Sequence, residues 1–140
     1  MILYLDTSAL VKRYFQEAFT EKVVAKWKDA QAIATSAVAY AETLSAIYRK
    51  KREANLDEDT LLKLINIFQS DWNGLVRIQV TDELNKYINL ALQNHPLRGF
   101  DAVHLASALV ILEQFPDDVF FACFDEQLNT AARDAGLRTF

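Results

Sequence analysis

Short apolar runs alternate with longer amphipathic ones along this chain, a pattern that predicts strands and helices in turn. Residues 2–5 are apolar and stop at Asp6, Thr7 and Ser8, which reads as a buried strand feeding a helix through Leu10, Val11, Tyr14 and Phe15. A helix is expected over residues 20–30, with Val23, Val24 and Trp27 inward and Lys22, Lys26 and Lys28 in water. Residues 32–35 form a second short strand. Ser36 then caps a long helix to about residue 53, since Tyr40, Leu44, Ile47 and Tyr48 recur at spacings of three and four. Asp57 caps the next helix, carried by Leu61, Leu64, Ile65 and Phe68 and ended by Asn73-Gly74. A strand over residues 75–80 alternates apolar and polar, and Thr81-Asp82-Glu83 opens another helix with acids at its positive end. Residues 98–113 read as a buried helix and residues 119–124 as the most apolar strand. Asp125 caps a last helix that Gly136 terminates, with a closing strand over residues 137–140. About five short strands among about seven helices predict an α/β fold, a mostly parallel sheet with helices on both faces.

A chain of 140 residues holds one core, so residues 1–140 are expected to be a single domain. Hydrophobic residues at 51% and only three Gly and two Pro exclude a disordered or collagen-like chain. The single cysteine, Cys123, forms no intrachain disulfide or Cys-based zinc site, which fits a reducing cytoplasm. Asp6 precedes Lys12-Arg13, the reverse of a signal peptide, and the apolar stretch at residues 102–112 falls short of the ~18 residues of a membrane span. A soluble protein is expected. Nineteen acids against fifteen basic residues give a net charge of -4, which on bulk charge argues against a nucleic-acid partner.

Most acids sit at solvated helix starts, but four do not. Asp6 and Asp125 each follow a buried strand, so a parallel sheet delivers both to one edge. Glu42 interrupts an apolar helical face between Ala39, Tyr40, Ala41 and Leu44, and Asp101 opens the run Phe100-Asp101-Ala102-Val103-His104-Leu105. Buried carboxylates need a compensating cation, and no Lys or Arg accompanies all four in the sequence. An oxygen-only donor set suits Mg²⁺ or Mn²⁺, and a hard ion with open positions points to phosphate-ester chemistry. Simple roles stand beside this one: Asp6 and Asp125 as helix caps, Asp101 as a cap or a partner of Arg98, and Glu42 as half of an ion pair. His104, three residues after Asp101, reads as a packed, hydrogen-bonded histidine or as a ligand or base on the same face. Cys123 reads as an inert buried thiol. The run Arg49-Lys50-Lys51-Arg52 is either a solvated helix end or a local basic rim.

Four motifs run across nearly the whole chain: Tyr4-Leu5-Asp6-Thr7-Ser8-Ala9-Leu10-Val11, Ser36 through Tyr40-Ala41-Glu42, Leu97-Arg98-Gly99-Phe100-Asp101-Ala102-Val103-His104, and Phe124-Asp125-Glu126-Gln127-Leu128. In order and spacing they resemble the PIN-domain ribonucleases, in particular the VapC-type toxins of toxin–antitoxin pairs. The resemblance implies a three-layer α/β/α PIN-like domain. It also implies that Asp6, Glu42, Asp101 and Asp125 are the metal-binding and catalytic acids of a Mg²⁺- or Mn²⁺-dependent endoribonuclease. Ser8 takes the family's hydroxyl position, orienting a carboxylate or a water, with Thr7 the weaker candidate. A homodimer, neutralised by a small antitoxin, is implied as well, with residues 56–87 carrying such contacts. Two other readings stand: a non-catalytic acidic pocket for a basic peptide, and a phosphatase of the haloacid dehalogenase type. The second calls for another Asp where this chain has Ser8. Setting the four acids aside leaves fifteen acids and fifteen basic residues, a balance compatible with an RNA substrate.

Overall fold

The computed structural model describes all 140 residues. Strands β1 (Ile2–Leu5), β2 (Ala32–Ser36), β3 (Val76–Ile78) and β4 (Val119–Ala122) pair in parallel in the order β3-β2-β1-β4. Seven helices join them: α1 (Thr7–Val11), α2 (Thr20–Asp29), α3 (Ala39–Ala54), α4 (Glu58–Gly74), α5 (Asn85–Asn94), α6 (Gly99–Gln114) and α7 (Glu126–Asp134).

Side chains alternate across a strand, and here each face builds its own core. Leu3 and Leu5 of β1 and Phe120 and Ala122 of β4 point to one side, where they meet Leu10 of α1, Val23 of α2, Ile47 of α3 and Phe68 of α4. Tyr4, Ala34, Val119 and Phe121 point to the other, against Ala91 of α5, Leu105 and Ala108 of α6 and Leu128 of α7. The result is three layers, α/β/α. Helix α6 is apolar around most of its circumference, and it is buried accordingly, with Ala102, His104, Leu105, Ala106, Ser107, Ala108 and Ile111 all inside.

Helix α4 is held to the start of the chain at one point. Asp71 accepts from Arg13 Nε at 2.8 Å and from the Tyr14 hydroxyl at 2.8 Å, and Phe68 packs edge-on against the Tyr14 ring. At the far end, Gly136 takes φ +94° and closes α7, with Leu137 N–H donating to Ala132 O at 3.0 Å.

Several boundaries differ from the pattern. Helix α1 stops at Val11 and does not run to Phe15. Ser36 is not a helix cap: it is the last residue of β2, its Oγ accepts from Val38 N–H at 3.3 Å, and α3 begins at Ala39 without a side-chain cap. Thr81 leads into a short 3₁₀ turn at Asp82–Leu84 before α5. The third strand shrinks to three residues because Val76 and Arg77 lie on the exposed edge of the sheet. The closing strand amounts to one parallel bridge, Arg138 to Phe120. Asp57 does cap α4, accepting from Thr60 N–H at 2.7 Å.

Phe68 is fully buried among Tyr14, Tyr40 and Trp72. Phe68→Ala is expected to cost about 3–5 kcal/mol in urea unfolding, since a ring-sized cavity forms between α4 and the sheet. A loss below about 1 kcal/mol would show that this layer contributes little to the core.

Candidate metal centre

Parallel pairing places the carboxyl ends of β1, β2 and β4 at one edge, and all four singled-out acids lie there. Asp6 follows β1 and caps α1, Glu42 sits in the first turn of α3 after β2, Asp101 sits in the first turn of α6, and Asp125 follows β4 and caps α7. Each helix start adds favourable positive potential beneath its acid.

Every one of these carboxylates commits one oxygen to the protein and leaves the other without a hydrogen bond. Asp6 Oδ1 accepts from Ser8 Oγ at 2.7 Å and Ala9 N–H at 2.9 Å. Glu42 Oε1 accepts from Thr7 Oγ1 at 2.6 Å and from His104 Nε2 at 2.9 Å. Asp101 Oδ2 accepts from Arg98 Nε at 3.2 Å, and Asp125 Oδ1 from Leu128 N–H at 2.8 Å. No three of these acids, with or without His104, close around a single point as a ready-made ligand cage.

Asp6 is 4% exposed. Burial pushes its carboxyl up to about 6, against the pull of His104, Ser8 and Ala9, and the charge of Asp101 adds to the rise. Burial would also raise Glu42, but hydrogen bonds from His104 and Thr7, with the charges of His104 and Arg98, outweigh it and leave Glu42 below its ordinary value. The site therefore holds one carboxylate that resists ionising and one that ionises readily.

His104 is buried between these groups. Its Nε2 lies 2.9 Å from Glu42 Oε1 and its Nδ1 2.9 Å from the Tyr4 hydroxyl, so the ring bridges the two. Burial holds Tyr4 far above its usual pKa, so it stays a hydroxyl. Tyr4, His104 and Glu42 thus form one chain from the core to the pocket. Sequence reasoning weighed His104 and passed over Tyr4, whose only signal is a polar tip on an otherwise apolar strand. Thr7, ranked behind Ser8, holds Glu42 as Ser8 holds Asp6.

Arg98 pairs with Asp101, one of the simple roles open to that acid, and no Lys or Arg is hydrogen-bonded to the other three. Arg98 immediately precedes α6, is 83% exposed and reaches Asp101, and its guanidinium also feels the charges of Asp125 and Glu42. An open cleft of about 540 Å³ is lined by Thr7, Ser8, Glu42 and Arg98 and by Lys12, Arg49 and Lys50. Arg49 and Lys50 therefore border the pocket as part of a basic rim, while Lys51 turns away to Glu58. A second hollow of about 590 Å³ shares Glu42 and Arg98 and adds Phe100 and Asp101. Burial drives the Cys123 thiol upward, which makes it inert.

A parallel three-layer domain with acidic side chains gathered at its strand ends belongs among the α/β proteins that bind their ligands at that edge. More particularly, the chain belongs to the PIN-domain family, whose model matches residues 3–133. It is 31% identical over 137 residues to Ribonuclease VapC45 of Mycobacterium tuberculosis, covering 98% of this chain and 93% of that relative. Among solved structures, the VapBC2 complex of Rickettsia felis bound to a promoter DNA fragment superposes with a TM-score of 0.67 at 15% identity, covering 100% of this chain and 99% of that one. A toxin–antitoxin complex from Klebsiella pneumoniae superposes with a TM-score of 0.59 at 13% identity, covering 89% and 88%. The chain is thus a VapC-type member of the family.

The raised carboxyl of Asp6 makes a pH prediction for the metal-free protein. Between about pH 4 and 6 the native state binds a proton that the unfolded chain has released, so stability falls as pH rises through this window. Asp6→Asn removes the effect. Urea unfolding should show the variant gaining about 2–3 kcal/mol on the wild type from pH 4 to pH 7, at about 1.4 kcal/mol per pH unit separating the two states' pKa values. A difference that stays constant over the window rules out the buried charge as its source.

Proposed function

We propose that the protein is a Mg²⁺- or Mn²⁺-dependent endoribonuclease and the toxin of a toxin–antitoxin pair. The carrying observation is the set of four carboxylates at one strand edge, each with one oxygen held by the protein and one left over. An all-oxygen donor set of this kind suits a hard divalent ion, and Asp6, Glu42, Asp101 and Asp125 are the residues that hold it. When bound, such an ion would lower the pKa of water and stabilise charge on phosphate oxygens.

The remaining residues serve that chemistry. Ser8 aims Asp6, while Thr7 and His104 aim Glu42, which preorganises two carboxylates without consuming their free oxygens. Arg98 leaves Asp101 for a phosphate of the substrate. Lys12, Arg49 and Lys50 border the cleft and attract the RNA backbone despite the overall charge of -4. The named ribonuclease activity of the 31% identical relative supports RNA as the substrate.

The same reading includes a small antitoxin, a homodimer and a cytoplasmic location. The fold recurs in a solved toxin–antitoxin complex. Leu62 and Ile67 of α4 and Leu90 and Leu92 of α5 are large apolar side chains left exposed, as surfaces for partner chains often are. No helix is long and apolar enough to cross a membrane. The phosphatase reading loses ground, since Ser8 donates to Asp6 where a second carboxylate is required. A pocket that only binds a basic peptide keeps one observation in its favour, the Arg98 guanidinium already resting on Asp101.

Purified protein is expected to cut RNA with Mg²⁺ or Mn²⁺, and EDTA or Asp101→Asn should lower the rate by more than about 100-fold. Undiminished cleavage in either case overturns the metal-dependent reading. Calorimetry showing no metal binding, alongside tight capture of an Arg-rich peptide, would favour the non-catalytic pocket.

A further inference from the structure

Beside the acidic site lies a feature that the metal chemistry does not use. Phe19 is 52% exposed, and its ring stacks on Phe124 with centroids 5.5 Å apart and planes 4° from parallel. Phe124 stacks in turn on Phe140 at 5.3 Å. Two lysines attend this ladder: Lys12 Nζ lies 4.8 Å from the Phe124 centroid and Lys22 Nζ 5.3 Å from that of Phe19. Lys22 makes no ion pair with a carboxylate, so its charge is free to meet an anion.

Phe19 is also held in the left-handed region, at φ 70°. For a bulky aromatic residue that conformation is an outlier, maintained here while the ring remains half in water. An aromatic side chain kept in an unfavourable backbone conformation without being buried has a purpose other than core packing.

The ladder is tied directly to the acids. Phe124 N–H donates to Ser8 Oγ at 3.3 Å, and Ser8 Oγ donates to Asp6 Oδ1 at 2.7 Å. Asp125 is the next residue in the chain. Lys12 joins the two regions, lining the cleft that holds Glu42 while lying over the Phe124 ring.

We propose that Phe19, backed by Phe124, is a stacking platform for an unpaired base of single-stranded RNA, next to the phosphate held at the acids, with Lys22 on the flanking phosphate, while Lys12 stays paired with Glu17 beneath the Phe124 ring. The inference rests on the ribonuclease reading for the identity of the strand. Aromatic faces interleaved with lysines are how proteins hold single strands with little sequence preference, and a duplex, whose bases are already stacked, has no face to offer. Lys22 belongs to a long exposed side chain and gives way to the incoming base. An RNA occupant is favoured over an acidic peptide because two stacked, nearly parallel rings match a planar base rather than a side chain.

The test measures binding in EDTA, where no cleavage is expected, by fluorescence anisotropy of a labelled ten-nucleotide uridine strand and of a duplex RNA. Phe19→Ala should weaken single-strand binding by about 5- to 150-fold, the range set by base–aromatic stacking of about 1–3 kcal/mol. Phe19→Trp should restore it, and the added tryptophan fluorescence should be quenched by the strand. Lys22→Glu should weaken binding and flatten its salt dependence. Equal binding by wild type and Phe19→Ala, duplex binding as tight as single-strand binding, or no single-strand binding at all overturns the platform. So does a Phe19→Ala defect confined to a protein partner. Cleavage by the wild type with Phe19→Ala unaffected removes the platform alone, whereas strand binding through Phe19 without metal-dependent cleavage removes the ribonuclease reading alone.

Discussion

Asp6 immediately follows β1, one of the two strands with neighbours on both sides in the sheet, and it is almost wholly buried there, so its charge has to be compensated from within the protein or by a cation. The surroundings meet part of that demand. Ser8 and Ala9 donate to one oxygen, and His104 contributes charge, yet the carboxyl remains pushed up to about 6. Its second oxygen has no hydrogen-bond partner, and the charge of Asp101 adds to the demand. The other features of this edge follow from that constraint: hydroxyls beside carboxylates, a histidine buried with a tyrosine behind it, and an arginine lying across the opening.

Holding a carboxylate by one oxygen fixes its orientation and keeps the other oxygen available. Thr7 and His104 do this for Glu42, Ser8 for Asp6, and the helix-capping N–H of Leu128 for Asp125. The caps are therefore not an alternative to a functional role. One oxygen of the same side chain caps a helix while the other makes no hydrogen bond. Arg98 differs, because an exposed arginine contributes little to stability and is free to move. Net charge says little about such a site. Acids gathered at one strand edge, and lysines and arginines bordering the adjoining cleft, produce local fields that a total of -4 conceals.

The alternation of short apolar and longer amphipathic runs made most of the elements legible, because each strand or helix buries a periodic face whatever its partners are. Caps were legible where one side chain reaches its own helix, as Asp57 and Asp125 do. Ser36 misled for a physical reason: a serine after an apolar run is a plausible cap, but here its residue still pairs with Ile78 in the sheet. The edge strand at Val76–Ile78 was overextended because alternation continues in the sequence after pairing has stopped.

The four acids could be singled out from their positions, since a carboxylate after a buried strand or inside an apolar helical face is out of keeping with its neighbours. Local sequence also determined a parallel sheet covered on both faces, with these acids at its strand ends. Only the tertiary structure decided how these groups are held. Tyr4 and His104 are one hundred residues apart, as Phe124 and Ser8 are more than one hundred apart, and a hydrogen bond between such groups leaves no periodic trace. The stacking of Phe19 on Phe124 arises in the same way. Periodicity records which face of an element is buried; it carries no record of what that face will meet.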